Sequence, residues 1–332
     1  MNVPGAPPDA TAYAELLHDA WPGESITISE PVPFGDGHSG FTYLLPTVTE
    51  SFRGDLVARL SPPGARIIGP SDVGRQGRIM RALHAAGLPA PRVLVADSSG
   101  TFHGRAVTVM ERVQGASWEA ATETSSHAAV AQAAVDVLHR IRELAPTKTG
   151  IGDEPETSNA DEVSRWSGLI SRCPEWLVEK SGQLAVKLLA DAPESSGAGL
   201  VHGDFHYANL LFDTGRVVAV LDWEIASLGD PLTDLGCLAV ASLRGRYEPE
   251  PNPTGSIHVA LSDLTARYGT DESIAAWHIA ASCFKYAVIL GYNLQLHRRG
   301  KKLDPIYEEL LGTARWLLED GEAILRNGLA GY

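Results

Sequence analysis

The chain has 332 residues, 44% of them hydrophobic, which is too long for one small core and suits a bilobal unit or two domains. Its 41 acidic residues against 27 basic ones give a formal charge of −14, which argues against a nucleic-acid partner because neutralising phosphates needs clustered Lys and Arg. Cys173, Cys237 and Cys283 lie far apart with no metal-ligand spacing, so reduced thiols and a cytoplasmic location are expected.

The opening MNVPGAPPDA lacks the basic start and apolar core of a secretory signal. Apolar residues at i, i+4 spacing then predict a short amphipathic helix over 11–21. From 26 to 110 the chain turns β-rich, with strands expected at 26–28, 43–45, 56–60, 92–96 and 106–110 and one helix at 71–86. Three glycines and a serine in Gly35-Asp36-Gly37-His38-Ser39-Gly40 let main-chain N–H groups approach an anion closely, although a ligand-free Gly-rich hairpin has the same composition.

After the polar stretch Glu111-Arg112-Val113-Gln114-Gly115 the pattern becomes helical. Helices are predicted at 126–144, 175–191, 231–243, 256–268, 271–297 and 305–326. The Pro-rich 248–253 reads as a surface connection. The longest apolar stretch, around 275–296, is broken by His278 and Lys285 and reads as a buried helix, not a membrane span.

The stretch 200–235 differs from everything around it. Two apolar runs, 210–212 and 217–221, flank Asp213-Thr214-Gly215 as a hairpin would, with His202-Gly203-Asp204 entering and Asp222 leaving. Antiparallel strands bring residues before the first and after the second to the same end, so Asp204, Asn209 and Asp222 are expected to converge. An Asp five residues before an Asn, with a second Asp across a hairpin, suits metal-assisted phosphoryl transfer. One carboxylate orients an attacking hydroxyl, and Asn209 and Asp222 offer hard oxygen ligands to Mg²⁺.

These segments, HGDFHYANLLF and VLDWEIASLGDP, resemble the aminoglycoside phosphotransferase and choline kinase-like family, whose fold is similar to that of protein kinases. The resemblance implies an α+β, bilobal protein kinase-like fold: an N-terminal five-stranded antiparallel sheet with one main helix, then a mostly helical C-terminal lobe. Its boundaries fall at 1–24 for a helical extension, 25–115 for the nucleotide lobe and 116–332 for the lobe holding the catalytic loop and acceptor site.

It further implies Asp204 as catalytic base, Asn209 and Asp222 as metal ligands, and His206 within reach of the transferring phosphate. Gly37, His38, Ser39 and Gly40 would cover the phosphates, Arg59 would hold them, and the main chain of Glu111 and Val113 would bind adenine. Gln76 stands where the family's cation partner is normally Glu, so a neutral contact or Asp72 would have to replace the ion pair. His202 and Asp230 are implied as braces of the catalytic loop, and Asp234 as a structural residue. Trp277, Phe284, Tyr286, Tyr292 and Trp316 fall where the family builds its acceptor pocket, although aromatics at helical spacing are more often core.

The expected activity is ATP- and Mg²⁺-dependent transfer of a phosphate to a hydroxyl of a small molecule, with no nucleic-acid or membrane partner. The VARLSPPG strand and aromatic late helices resemble the kinase-like modules of acyl-CoA dehydrogenase fusions. Three other readings use the same residues: an aminoglycoside- or macrolide-inactivating kinase, a nucleotide-binding pseudokinase suggested by Gln76, and a metallophosphoesterase using 203–206. A negative cleft would favour polyamine acceptors, and an apolar one a lipophilic alcohol.

Overall fold

The β-rich first third folds into one antiparallel sheet in this computed structural model, which describes residues 8–34, 41–195, 197–243, 246 and 257–332. The chain divides into two compact units, the first comprising Met1–Gly115, Leu144–Asp153 and Val218–Ala226. Here α1 (Ala10–Leu16) starts at Asp9, whose carboxylate accepts the Ala12 N–H at 2.8 Å. The sheet contains β1 (Thr27–Ile28), β2 (Val32–Pro33), β3 (Phe41–Val48), β4 (Arg53–Leu60), β5 (Val93–Phe102) and β6 (Arg105–Glu111), in the order β1-β3-β4-β6-β5 with β2 also on β3.

Along β3 burial alternates, and Tyr43, Leu45 and Thr47 point inward. Tyr43 and Leu45 join Leu56, Leu60, Val107 and Val109 in a core capped by Tyr13 and Leu17. Each such buried side chain stabilises the unit by roughly 1.5–3 kcal/mol. The helix α2 (Val73–Ala85) packs against β5 and β6. It sits unusually close to them: a Cβ at Gly77 would lie 2.4 Å from Thr108 Oγ1, and one at Gly74 2.5 Å from the Asp97 backbone.

The second unit comprises Ala116–Glu143, Glu154–Val217 and Ser227–Tyr332. It begins with α3 (Trp118–Thr124) and α4 (His127–Arg142), followed by β7 (Glu156–Thr157), α5 (Asn159–Ser167) and α6 (Glu175–Ala190). Next come β8 (Gly199–Val201), β9 (Leu210–Asp213), its hairpin partner β10 (Arg216–Val220), of which Val218–Val220 count with the first unit, and β11 (Ser227–Gly229). Helices α7 (Leu232–Leu243), α8 (Leu261–Tyr268), α9 (Glu272–Arg298), α10 (Ile306–Glu309) and α11 (Leu311–Asn327) complete it.

At 27 residues α9 is long and apolar enough to cross a membrane. It is instead the central helix of this unit, packed against α5, α6, α7, α8 and α11 and mostly buried. Gly236 lets α7 approach it, since a Cβ there would stand 2.4 Å from the His278 carbonyl oxygen.

Several expectations need correction. The sheet has six strands and not five, because the two-residue β2, too short to show a pattern, adds itself to β3. The last helix is interrupted at Leu310, which ends α10 and begins α11. The first helix ends at Leu16 and gives way to a 3-10 turn over His18–Ala20. A three-stranded sheet of order β7-β11-β8, and the helices α3 and α5, were not anticipated.

Candidate active site

The loop after β8 is built to hold Asp204 still. Gly203 adopts φ +81°, which only glycine takes readily, and this turns two successive N–H groups toward Asp234. The Asp234 carboxylate accepts from His202 N at 2.7 Å and from Gly203 N at 2.8 Å. Burial pushes the Asp234 carboxyl up, to about 7, against the pull of those two donors and of Lys285. The fully buried His202 accepts the Asp204 N–H on Nδ1 at 3.1 Å, as the expected brace would.

Asp230, expected to brace this loop, is buried and accepts from Asn159 Nδ2 at 3.2 Å and from Leu232 N at 3.1 Å. Asp234, on the first turn of α7, is bonded directly to the loop, since its two carboxylate oxygens meet the two successive N–H groups.

Asp204 itself is half-buried and carries three neighbours on its side chain and backbone. The Tyr286 hydroxyl donates to Oδ1 at 2.6 Å. His206 Nε2 lies 3.4 Å from Oδ2, and Asn209 Nδ2 donates to the Asp204 carbonyl at 2.9 Å. Burial pushes the Asp204 carboxyl up, but His206, Lys285 and the Tyr286 hydroxyl outweigh it and hold the group well below the usual carboxylate range.

His206 Nε2 is also 3.3 Å from Asn209 Nδ2. A neutral imidazole nitrogen either accepts from Asn209 or donates to Asp204, so this histidine sits at a branch between the two. Asn209 spends its amide nitrogen on these contacts and keeps its oxygen for a different partner.

Sequence reasoning passed over two α9 residues here. Lys285, 2% exposed, donates to the Gly203 carbonyl oxygen and to Cys237 Sγ at 3.1 Å. Burial works against its charge, yet Cys237, Glu162 and Asp204 outweigh that and hold it protonated. Tyr286, expected either in the acceptor pocket or in the core, lines a cavity and also touches Asp204, a contact not expected. The available signal was a lysine within a long apolar helix, since a buried ammonium requires acceptors.

Tyr286 and His206 line a cavity of about 370 Å³ in this unit. Trp118, Val240, Ile289, Leu290 and Leu317 form its walls, and none of its described lining residues is Asp, Glu, Lys or Arg.

In the first unit, Arg59 lies on β4 opposite Thr42 and Thr108. Its two terminal nitrogens each stand 3.4 Å from Asp222 Oδ1. Asp222 adopts φ +64°, a conformation uncommon for a residue with a side chain and often seen where function demands it. The Trp223 indole fixes that turn by donating to Val220 O at 3.0 Å, and Val220 N in turn donates to Pro89 O.

Gln76 and Asp72, expected to replace the family's ion pair by a neutral contact or a countercharge, have these partners. Gln76 is buried, its Nε2 donates to Pro70 O at 3.1 Å and its Oε1 accepts no hydrogen bond. Asp72 caps α2, accepting from Arg75 N at 2.9 Å and from the Ser98 hydroxyl. Asp222 is a partner of Arg59.

Glu111 N donates to Arg92 O and Arg112 N to Asp55 O, so both N–H groups belong to the sheet, and the Glu111 carboxylate pairs with Arg92 at 2.9 Å. Val113 follows, half-buried, just past the end of β6. Gly37, His38, Ser39 and Gly40 lie outside the described residues.

A Mg²⁺ ion is implied by the fold, and the donor chemistry fits it. The Asn209 amide oxygen in the second unit, and separately the partly exposed Asp222 carboxylate in the first, are each hard oxygen donors of the kind Mg²⁺ takes, one or two to an ion beside water and phosphate.

An antiparallel sheet carrying one main helix, with an HGDxxxxN loop and a following LDW in a largely helical region, defines a kinase-like phosphotransferase. The chain belongs to the phosphotransferase enzyme family APH, whose family model matches residues 31–267. It is 28% identical over 309 residues to mouse acyl-CoA dehydrogenase family member 11, covering 85% of this chain and 38% of that protein. The chain spans little more than a third of the length of such curated relatives.

Among solved structures, a Ralstonia eutropha protein provisionally named an aminoglycoside phosphotransferase superposes with a TM-score of 0.76 at 24% identity, covering 96% of this chain and 99% of that one. The aminoglycoside phosphotransferase APH(4)-Ia, as a thermostable mutant in a ternary complex with AMP-PNP and hygromycin B, gives 0.64 at 19% identity, covering 97% and 100%. Both likenesses establish the fold.

Proposed function

We propose that this chain transfers the γ-phosphate of ATP to a hydroxyl of a small molecule with an apolar body. The observation that carries this reading is Asp204, tied at Oδ1 by Tyr286 and flanked by two residues of an apolar cavity. A carboxylate held ionised accepts a hydrogen bond from an alcohol and aims its oxygen at the phosphate. A weak base is adequate, since the transition state of phosphoryl transfer is loose and positioning dominates. Arg59 holds the α- and β-phosphates, Gly37 to Gly40 cover them, and the main chain of Glu111 and Val113 receives adenine. Mg²⁺, held by Asn209 Oδ1 and Asp222, would neutralise charge on the phosphates. His206 stabilises the transferring group by donating from Nε2.

The cavity speaks against an aminoglycoside acceptor. Such molecules carry several ammonium groups, and the described lining offers them no carboxylate. Its volume is near the small end for ligand pockets, which suits a compact acceptor.

The test is a coupled ATP-consumption screen over straight-chain and branched secondary alcohols, polyols, choline, aminoglycosides and a macrolide, with Asp204→Ala as blank. Consumption above the blank is expected with apolar alcohols. Turnover confined to aminoglycosides overturns the acceptor assignment, and ATP binding without turnover across the panel makes the chain a nucleotide-binding scaffold.

A further inference from the structure

Two consecutive residues of α9 reach the same loop from one side. Lys285 donates to the carbonyl oxygen of Gly203, the residue just before Asp204. Tyr286 donates to the Asp204 carboxylate at 2.6 Å, short for a hydrogen bond and typical of an ionised acceptor. We infer that Tyr286 is a positioning residue for the phosphotransfer reaction: its hydroxyl selects the Asp204 oxygen that meets the acceptor, and Lys285 holds the loop in register with it. This rests on the reading of Asp204 given above.

The geometry argues for the role as follows. A carboxylate on a loop can rotate about two side-chain bonds, and either oxygen can face the acceptor. Tying Oδ1 to a phenol removes that freedom and leaves Oδ2, beside His206 at 3.4 Å, as the oxygen open to an incoming hydroxyl. Tyr286 is itself well suited to the task, because its ring lies in the cavity wall, where an acceptor would pack against it.

Lys285 gives the arrangement a fixed base. A lysine buried to this extent is costly unless its charge is satisfied, and here it is satisfied by the loop carbonyl and the Cys237 sulfur. Asp234 holds the same loop through its N–H groups. The loop is therefore gripped at His202, Gly203 and Asp204, by two helices, before any ligand binds.

The test compares wild type, Tyr286→Phe and Asp204→Ala, with 4-fluorophenylalanine and 4-aminophenylalanine introduced separately at position 286. The readouts are phosphate release from Mg-ATP into water and ATP consumption with 2-octanol. Tyr286→Phe should lower kcat by about tenfold or more, with the KM for Mg-ATP changed less than about twofold and an unaltered thermal midpoint. The 4-fluoro variant, which fills the space without donating, should stay low, and the 4-amino variant, which restores a donor, should recover turnover. Full activity in Tyr286→Phe beside an inactive Asp204→Ala overturns the positioning role alone. Activity in Asp204→Ala equal to wild type, or no Asp204-dependent turnover in wild type, overturns the underlying reading as well.

Discussion

Arg59 and Asp222 form an ion pair at 3.4 Å, although one is the cation expected to hold phosphate and the other the carboxylate expected to hold metal. Without ligands each neutralises the other, so neither charge is left buried alone. Under the proposed function, Mg-ATP would replace one contact with two: phosphate for the guanidinium and a cation for the carboxylate.

Substituting Arg59→Met separates these effects. Charge-assisted hydrogen bonds contribute about 1.5–3 kcal/mol each, so affinity for Mg-ATP should fall by roughly tenfold or more. Mg²⁺ without nucleotide should bind Asp222 more tightly in this variant, because its competitor is gone. Titration calorimetry with Mg-ATP and with Mg²⁺ alone checks both directions.

Gln76→Leu should behave quite differently. The substitution removes one bond, to Pro70 O, together with an amide oxygen that has no hydrogen-bond partner. Loss and gain nearly offset, so stability should move by about 1 kcal/mol at most. Affinity for Mg-ATP should change less than about twofold, since the Gln76 amide nitrogen is committed to Pro70 O. A large loss of affinity, measured by the same calorimetry, would return Gln76 to the nucleotide site.

Asp234→Asn tests the loop brace. The amide keeps one acceptor oxygen and turns an NH₂ toward one of two backbone N–H donors, leaving that N–H buried and unsatisfied. This costs about 1–3 kcal/mol of stability. Asp204 is displaced as a result, so kcat should fall while the KM for Mg-ATP holds. Asp230→Asn should affect stability through Asn159 and Leu232 with a smaller effect on kcat.

The contrast between these two aspartates indicates what could be read in the sequence. The hairpin, the HGD and LDW segments and the helical run after 115 carry strong local patterns, and they single out Asp204, Asn209 and Asp222 as candidates. That Asp234 meets the loop N–H groups depends on the phase of α7 against the loop, which is a tertiary matter. Tyr286 is 82 residues from Asp204. Nothing within α9 tells an aromatic that fills the core from one whose hydroxyl emerges at a carboxylate. Thr108 against Gly77, and Asp97 against Gly74, likewise reveal only in three dimensions why α2 needs its glycines.

The last prediction concerns pH. His278 on α9 is buried, with Nε2 3.6 Å from Asp230 Oδ2 and the Trp277 ring edge-on beside it. Burial lowers its pKa from 6.5 to about 4, with Asp230 opposing part of that shift. The folded protein therefore binds this proton less readily than the unfolded chain does. Stability from this group is complete above about pH 6.5, declines as pH falls toward 4, and is fully lost below that. The difference amounts to on the order of 3 kcal/mol at 1.36 kcal/mol per pKa unit. His278→Gln, neutral at every pH, should lack this component. Urea unfolding of both proteins at pH 7.5 and pH 4.5 should show the wild type losing more stability than the variant between the two conditions. Equal losses would mean that His278 is protonated in the folded protein and pairs with Asp230 as a cation.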